Sequence, residues 1–158
     1  MSKANLQKTL INIAIATGIA IFFIVDRTLK ALAITSAGEQ TASRELIGDI
    51  FSFHLTANYN IAFSLPLSGP GLNAVLVLII AALIYYIFYL IINKKEQKSD
   101  ILLLTIILLG AISNILDRFT YGFVIDYLEL RYFTVFNLAD TMISGGAMIL
   151  IIKNIKKK

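Results

Sequence analysis

"VFNLADTMISGGAMILII", Val135–Ile152, is long and apolar enough to cross a bilayer, yet it carries one ionisable residue, Asp140. A charge within a span costs ~2.5–3.5 kcal/mol or more, so it faces a partner or a cavity rather than lipid. Reading the stretch as a span makes this a membrane protein. Reading Asp140 as a functional carboxylate directs attention to whatever other polar groups reach its depth.

The composition agrees with a lipid environment. Of 158 residues, 58% are hydrophobic and 15% charged, against about 25% charged in soluble domains; mean hydropathy is +0.79. The absence of cysteine excludes disulfides, thiolate metal sites and a Cys nucleophile. One histidine, His54, cannot build a zinc site alone, and nothing implies a cofactor. The net charge of +4 does not point to nucleic acid, because the basic residues gather at the two ends and in one loop. In a membrane protein that placement sets orientation.

Three further apolar runs accompany the first: Thr9–Val25, Leu72–Ile92 and Ile101–Leu116. Only Leu72–Ile92 comfortably reaches the about 20 residues needed for a ~30 Å hydrocarbon core. The others span if their polar ends lie in the interface. Lys3 and Lys8 give Thr9–Val25 a basic start, but "VDRTLK" follows instead of a small-residue cleavage site, so it reads as a retained span. The expected fold is an integral membrane, mainly α protein: four transmembrane helices with a small extracytoplasmic β-sheet, in a single domain over 1–158. The spans fall at about 9–26, 72–92, 101–118 and 135–152, with a β segment at about 36–68 and an outer loop at 119–134.

Lys3 and Lys8, the loop lysines Lys94, Lys95 and Lys98, and the tail Lys153, Lys156, Lys157 and Lys158 share one side when the span number is even. The positive-inside rule makes that side cytoplasmic, with both termini. In the outer segment, Phe51, Phe53 and Leu55 alternate with Ser52, His54 and Thr56, a strand pattern. "SGPG" at 68–71 is a turn before span two. The small sheet is expected to rest on the outer membrane surface, with "YGFVIDYLELRYF" adding a strand or loop.

At ~1.5 Å per helical residue, Asp140 lies roughly 20 Å above Lys153 and Asn114 about 21 Å above Asp100. Asp117 lies about 26 Å up and Asp26 about 27 Å above Lys8, so three spans bring polar groups to one level near the outer face. Asn114, Asp117 and Arg118 share a helical face, as do Asn137, Asp140, Thr141 and Ser144. Gly110 would admit a close neighbouring helix. Asp126 sits in the segment that can fold back toward Asp140. Asp26–Lys30 reads as a structural i, i+4 ion pair, Asp117–Arg118 as an anchor, His54 as an ordinary strand residue and Gly145–Gly146 as helix packing. Two carboxylates held close share a proton. Such a pair can act as base toward water and acid toward a carbonyl or leaving amine, hydrolysing a peptide bond without metal or thiol.

The chain resembles the lipoprotein signal peptidases, the type II signal peptidases of bacteria, in order along nearly its whole length. "DRTLK" (26–30) is similar to the family's Asp-Gln-x-x-Lys, and "NYNIAFS" (58–64) to Asn-x-Gly-Ala-Ala-Phe-Ser. "GAISNILDR" (110–118) is similar to Gly-x-x-Gly-Asn-x-x-Asp-Arg, "GFVIDYL" (122–128) to Gly-x-Val-x-Asp-Phe, and "FNLAD" (136–140) to Phe-Asn-x-Ala-Asp. The resemblance implies an integral-membrane aspartyl protease of the bacterial plasma (inner) membrane with catalytic Asp126 and Asp140 near the extracytoplasmic face. It implies that Asn58, Asn114, Arg118 and Asn137 line or support the site, with Asp26 and Lys30 near it. The implied substrate is a prolipoprotein whose Cys carries diacylglycerol, cut just before that Cys, and the implied inhibitor is globomycin. Membrane lipid is the surrounding partner, and a monomer suffices for the chemistry. The chain departs from the pattern at Arg27, Asn60, Ile61, Ser113 and Thr134. Ile61 and Ser113, bulkier than the residues they replace, are expected to reshape the substrate groove. The rival readings are an intramembrane proton pathway or transporter, and a Ser–Lys protease using Lys30 with Ser64 or Ser113.

Overall fold

The computed structural model describes residues 3–36, 44–60, 69–93 and 98–156. The elements run α1 (Lys3–Ser36), β1 (Arg44–Ile47), β2 (Phe51–Asn58), α2 (Pro70–Asn93), α3 (Lys98–Tyr121), β3 (Val124–Leu130), β4 (Thr134–Phe136) and α4 (Leu138–Ile155). Among the described residues, three helical stretches, Gly71–Asn93, Lys98–Tyr121 and Leu138–Ile155, are long and apolar enough to cross a membrane. The expected first span, Thr9–Val25, lies within α1, but the side chains of 8–16 fall outside the described residues, as do Lys94, Lys95, Lys157 and Lys158.

Local chemistry sets the helix ends. α2 opens with Pro70 at its first position, where a missing N–H costs nothing, after Gly69 at φ 99°; Ser68 lies outside the described residues. α3 closes on Gly122 at φ 84°, whose N–H bonds the Arg118 carbonyl at 3.0 Å, a left-handed cap that favours glycine. α4 opens with a capping box. The Asn137 side chain accepts from the Asp140 N–H, and the Asp140 carboxylate accepts from the Asn137 N–H, satisfying two otherwise orphaned donors.

Three boundaries differ from those expected. α1 does not stop near Asp26 but continues to Ser36, because "RTLKALAITS" contains no Gly or Pro to break it. Val135 and Phe136 belong to β4, so the last helix starts at Leu138 rather than at 135. The outer segment expected at 119–134 begins later, since α3 runs to Tyr121, and the strand or loop expected there is β3 followed by the start of β4.

The four strands form one antiparallel sheet in the order β1-β2-β3-β4. Phe53 opposes Leu128, but Thr56 opposes Asp126 and Asn58 opposes Val124. One extra residue in β2 therefore shifts the register. Strict alternation would have set Leu55 against Asp126; the bulge sets Thr56 there and brings Asn58 diagonally beside the carboxylate. Ala33 of α1 packs with Ile125 and Tyr127 of β3 as the buried core, and Phe53 and Leu55 lie against it.

α3 and α4 approach closely at two glycines. A Cβ on Gly110 would lie 2.6 Å from the Ala139 carbonyl oxygen and 2.9 Å from the Ile143 side chain. A Cβ on Gly146 would lie 2.8 Å from Ile107. Small residues are what let membrane helices meet backbone to backbone. Gly145 would meet nothing within 4 Å, so only one of the two adjacent glycines serves helix packing. α2 presents Leu78, Ile79, Tyr85 and Phe88 outward, as a lipid-facing helix does. Gly110→Ala should lower stability by about 1–3 kcal/mol through overpacking, read as a lower thermal unfolding midpoint in detergent. Gly145→Ala should leave that midpoint unchanged or slightly raised.

Candidate active site

The deepest polar feature is an ion cluster on α1 and α3. Lys30, 0% exposed, lies 2.7 Å from Asp117 and 3.2 Å from Asp26, both also fully buried. Arg27, partly exposed, pairs with Asp117 as well. Two carboxylates and two cations balance in charge, as buried ions require. The cluster also reaches outward. Asp26 accepts from Tyr127 Oη at 3.0 Å and from the Ala139 N–H at 3.1 Å, and Tyr127 Oη accepts from the Leu138 N–H at 3.1 Å. Asp117 accepts from the Ile125 N–H at 3.3 Å. The cluster thus fixes β3 and the start of α4, the two segments that carry Asp126 and Asp140.

Asp126 and Asp140 are joined through Asn137. Its side-chain nitrogen donates to Asp126 at 2.6 Å, while its side-chain oxygen accepts from the Asp140 N–H at 2.8 Å. Asn58 donates to the other Asp126 oxygen at 2.8 Å. Asn114 donates to Asp140 at 2.7 Å. Each amide is held in one orientation by donors on its oxygen side: Asn58 by the Asn60 N–H at 2.9 Å, Asn114 by Lys30 at 2.8 Å and the Asn137 NH2 at 3.2 Å, Asn137 by the Asp140 N–H. Because a carbonyl can only accept and an NH2 can only donate, all three are made to present NH2 to a carboxylate. Burial pushes the Asp126 carboxyl up to about 7, aided by the charge of Asp140 and opposed by the bonds from Asn58 and Asn137.

A cavity of about 240 Å³ opens between α2, α3 and α4 against this network. Asp140, Asn58, Asn114 and Arg118 line it with Leu76 and Ile143 among its apolar residues. Asp126, 1% exposed, is not in the lining but is bonded to Asn58, which is. Arg118 donates to the carbonyls of Tyr59 (3.4 Å) and Asn60, tying the end of β2 to α3.

The residues expected at the site therefore divide in two. Asn58, Asn114, Asn137, Asp126 and Asp140 form one network, Lys30 joins it through Asn114, and Arg118 borders it. Asp26 does not touch the pair; it braces Tyr127 and α4. Ser113 is also placed differently from expectation: it is 1% exposed and turned into the ion cluster, not toward the cavity. Arg27 donates to its carbonyl (3.2 Å) and hydroxyl (3.4 Å), so two positions that depart from the family pattern touch each other. Ile61 and Ser64 lie outside the described residues. The Ser113 hydroxyl is 3.2 Å from Lys30, but its proton goes to Asp26 at 2.5 Å. Buried and fully engaged, it is no free nucleophile. Tyr127, absent from the sequence reading, is a buried strut whose role no local pattern announces. His54 stands in β2, 3.1 Å from Thr56, as an ordinary strand residue.

The signal peptidase (SPase) II family matches residues 18–156. The lipoprotein signal peptidase of Halothermothrix orenii is 31% identical over 134 residues, covering 85% of this chain and 90% of that one. That of Vibrio vulnificus is 31% identical over 144 residues, covering 87% and 86%. A solved bacterial membrane enzyme superposes with a TM-score of 0.77 at 22% identity, covering 90% of this chain and 88% of the other, which shows the shared fold.

The ion cluster yields an expectation for stability. Lys30→Met leaves Asp26 and Asp117 buried with Arg27 as their remaining cation, and should cost about 3–5 kcal/mol, seen as loss of the folded peak in detergent gel filtration. Arg27→Gln should cost less than Lys30→Met, because the guanidinium is partly exposed and water can take over some of its role beside buried Asp117.

Proposed function

The chain belongs to the signal peptidase II family, and from that premise we propose that it is an aspartyl endopeptidase acting on prolipoproteins in the bacterial plasma membrane. It removes the signal peptide from diacylglyceryl-modified precursors by cutting just before the lipidated Cys, with Asp126 and Asp140 as the catalytic pair. The observation that supports this reading is Asn137, whose side-chain NH2 donates to the Asp126 carboxylate while its side-chain oxygen accepts from the Asp140 backbone N–H, so that one residue ties the two aspartates together. The cavity beside them has an apolar wall on α2, suited to a membrane-borne signal peptide and its lipid. α1 is the fourth span of a single membrane domain, both termini are cytoplasmic, and the pair lies near the extracytoplasmic face. A monomer in lipid suffices.

With Asp126 raised to about 7, this carboxyl is partly protonated at neutral pH, and its titration belongs to the pair. The ionised carboxylate takes a proton from water as that oxygen attacks the scissile carbonyl. The protonated one gives its proton to the carbonyl oxygen, forming a neutral gem-diol. On collapse the first carboxyl protonates the leaving nitrogen as the C–N bond breaks, and the second recovers a proton from the diol. Both return to their starting states.

Purified protein should cleave a diacylglyceryl-modified prolipoprotein and not its unmodified precursor in a gel-shift assay. Asp126→Asn and Asp140→Asn should each lower the rate by at least about 10³-fold while remaining folded. Substantial turnover by either variant would remove the pair from the mechanism. The rate should also fall as pH rises above about 7, because the pair then loses its shared proton; a rate still climbing at pH 9 would contradict this.

A further inference from the structure

The Ser113 hydroxyl is buried among charges and its bonding is saturated. Its proton goes to Asp26 at 2.5 Å, and its two lone pairs face Lys30 at 3.2 Å and Arg27 at 3.4 Å. A hydroxyl offers one donor and two acceptor sites, so none is spare. Lys30 has three protons. One goes to Asp117 at 2.7 Å, one to the Asn114 side-chain oxygen at 2.8 Å, and the third lies between Ser113 and Asp26. Without the hydroxyl, Lys30 would lie between two carboxylates with no neutral acceptor on the Asp26 side. It would be drawn toward Asp26, away from Asn114. Asn114 is the amide whose orientation decides whether NH2 or oxygen meets Asp140.

We propose that Ser113 is a positioning residue for the reaction: its hydroxyl holds Lys30 against the Asn114 oxygen, so that the Asn114 NH2 stays on Asp140. This rests on the peptidase reading above. The residue does not line the cavity; it acts through Lys30 on the Asn114 oxygen, which also accepts from the Asn137 NH2 at the longer distance of 3.2 Å. The Gly-Asn-x-x-Asp-Arg pattern that the chain resembles has glycine here, where this chain carries a hydroxyl. Arg27, bonded to the same hydroxyl, is the cation that Ser113 admits beside Asp117.

The test uses the full-length protein in detergent micelles with two readouts. Ser113→Ala should lower kcat by about tenfold, the loss of one hydrogen bond to a charged group, with KM for a diacylglyceryl-modified prolipoprotein changed by no more than about twofold. In an Asn114→Ala background the same substitution should cost nothing further, because its intermediary is gone. The second readout needs no activity. In ¹⁵N-labelled protein the Asn114 side-chain NH2 protons should be resolved and protected from solvent, and Ser113→Ala should make them exchange faster while the unfolding midpoint stays within a few degrees. Unchanged Asn114 signals in Ser113→Ala, or an equal tenfold loss in the Asn114→Ala background, would overturn the positioning role. If the wild-type protein cleaves nothing while the Asn114 signals respond as expected, the positioning geometry stands and the peptidase reading fails.

Discussion

Lys30 buried between Asp26 and Asp117 is the constraint from which the rest of the molecule follows. An ammonium taken out of water costs several kcal/mol unless its partners are in place. Those partners come from both α1 and α3, so the helices cannot dock in another register without stranding a charge. The acids in turn hold backbone N–H groups of β3 and α4 and the Tyr127 hydroxyl. The same cluster that locks the helices therefore sets the height of the sheet and the first turn of α4.

From that frame the site inherits its directionality. Asparagine is ambiguous by itself, with a donor and an acceptor end of nearly equal shape. Here a backbone N–H or an ammonium occupies each acceptor end, leaving the three donor ends for two carboxylates. Such preorganised donors stabilise ionised carboxylate on the pair, while burial and mutual repulsion oppose it. The balance leaves Asp126 near neutrality, where proton transfer in both directions is easiest. Arg118, by contrast, spends its guanidinium on backbone carbonyls and shapes the rim.

The close meeting of α3 and α4 at Gly110 brings Asn114 and Asp140 within one hydrogen bond. Asn114 stands one helical turn above Gly110, and Asp140 follows the Ala139 carbonyl that faces it. Dispersion and close backbone approach hold helices together in lipid, where the hydrophobic effect contributes little. α2 takes a different part: it closes the cavity with aliphatic side chains and shows most of its surface to lipid.

By itself the sequence determined what depends on local chemistry. Apolar runs marked the three helices that are long and apolar enough to cross a membrane, a charge in one of them singled out Asp140, i, i+4 spacing paired Asp26 with Lys30, and the Asn, Asp and Arg residues arrived in motif order. Alternation also revealed the strand character of 51–56. The tertiary structure decided what depends on distant partners. The bulge in β2 chooses Asn58 over Ala57 as the neighbour of Asp126, since pairing with β3 selects the register and alternation cannot see a register shift. Packing of the sheet on Ala33 gives the extension of helix α1 past Asp26 its buried face. Ser113 turns into the ion cluster and not the cavity because charges on another helix offer its hydroxyl better bonds. The joining of Asp126 and Asp140 through Asn137 is of the same kind: no spacing along the chain encodes a hydrogen bond between a strand and a helix cap.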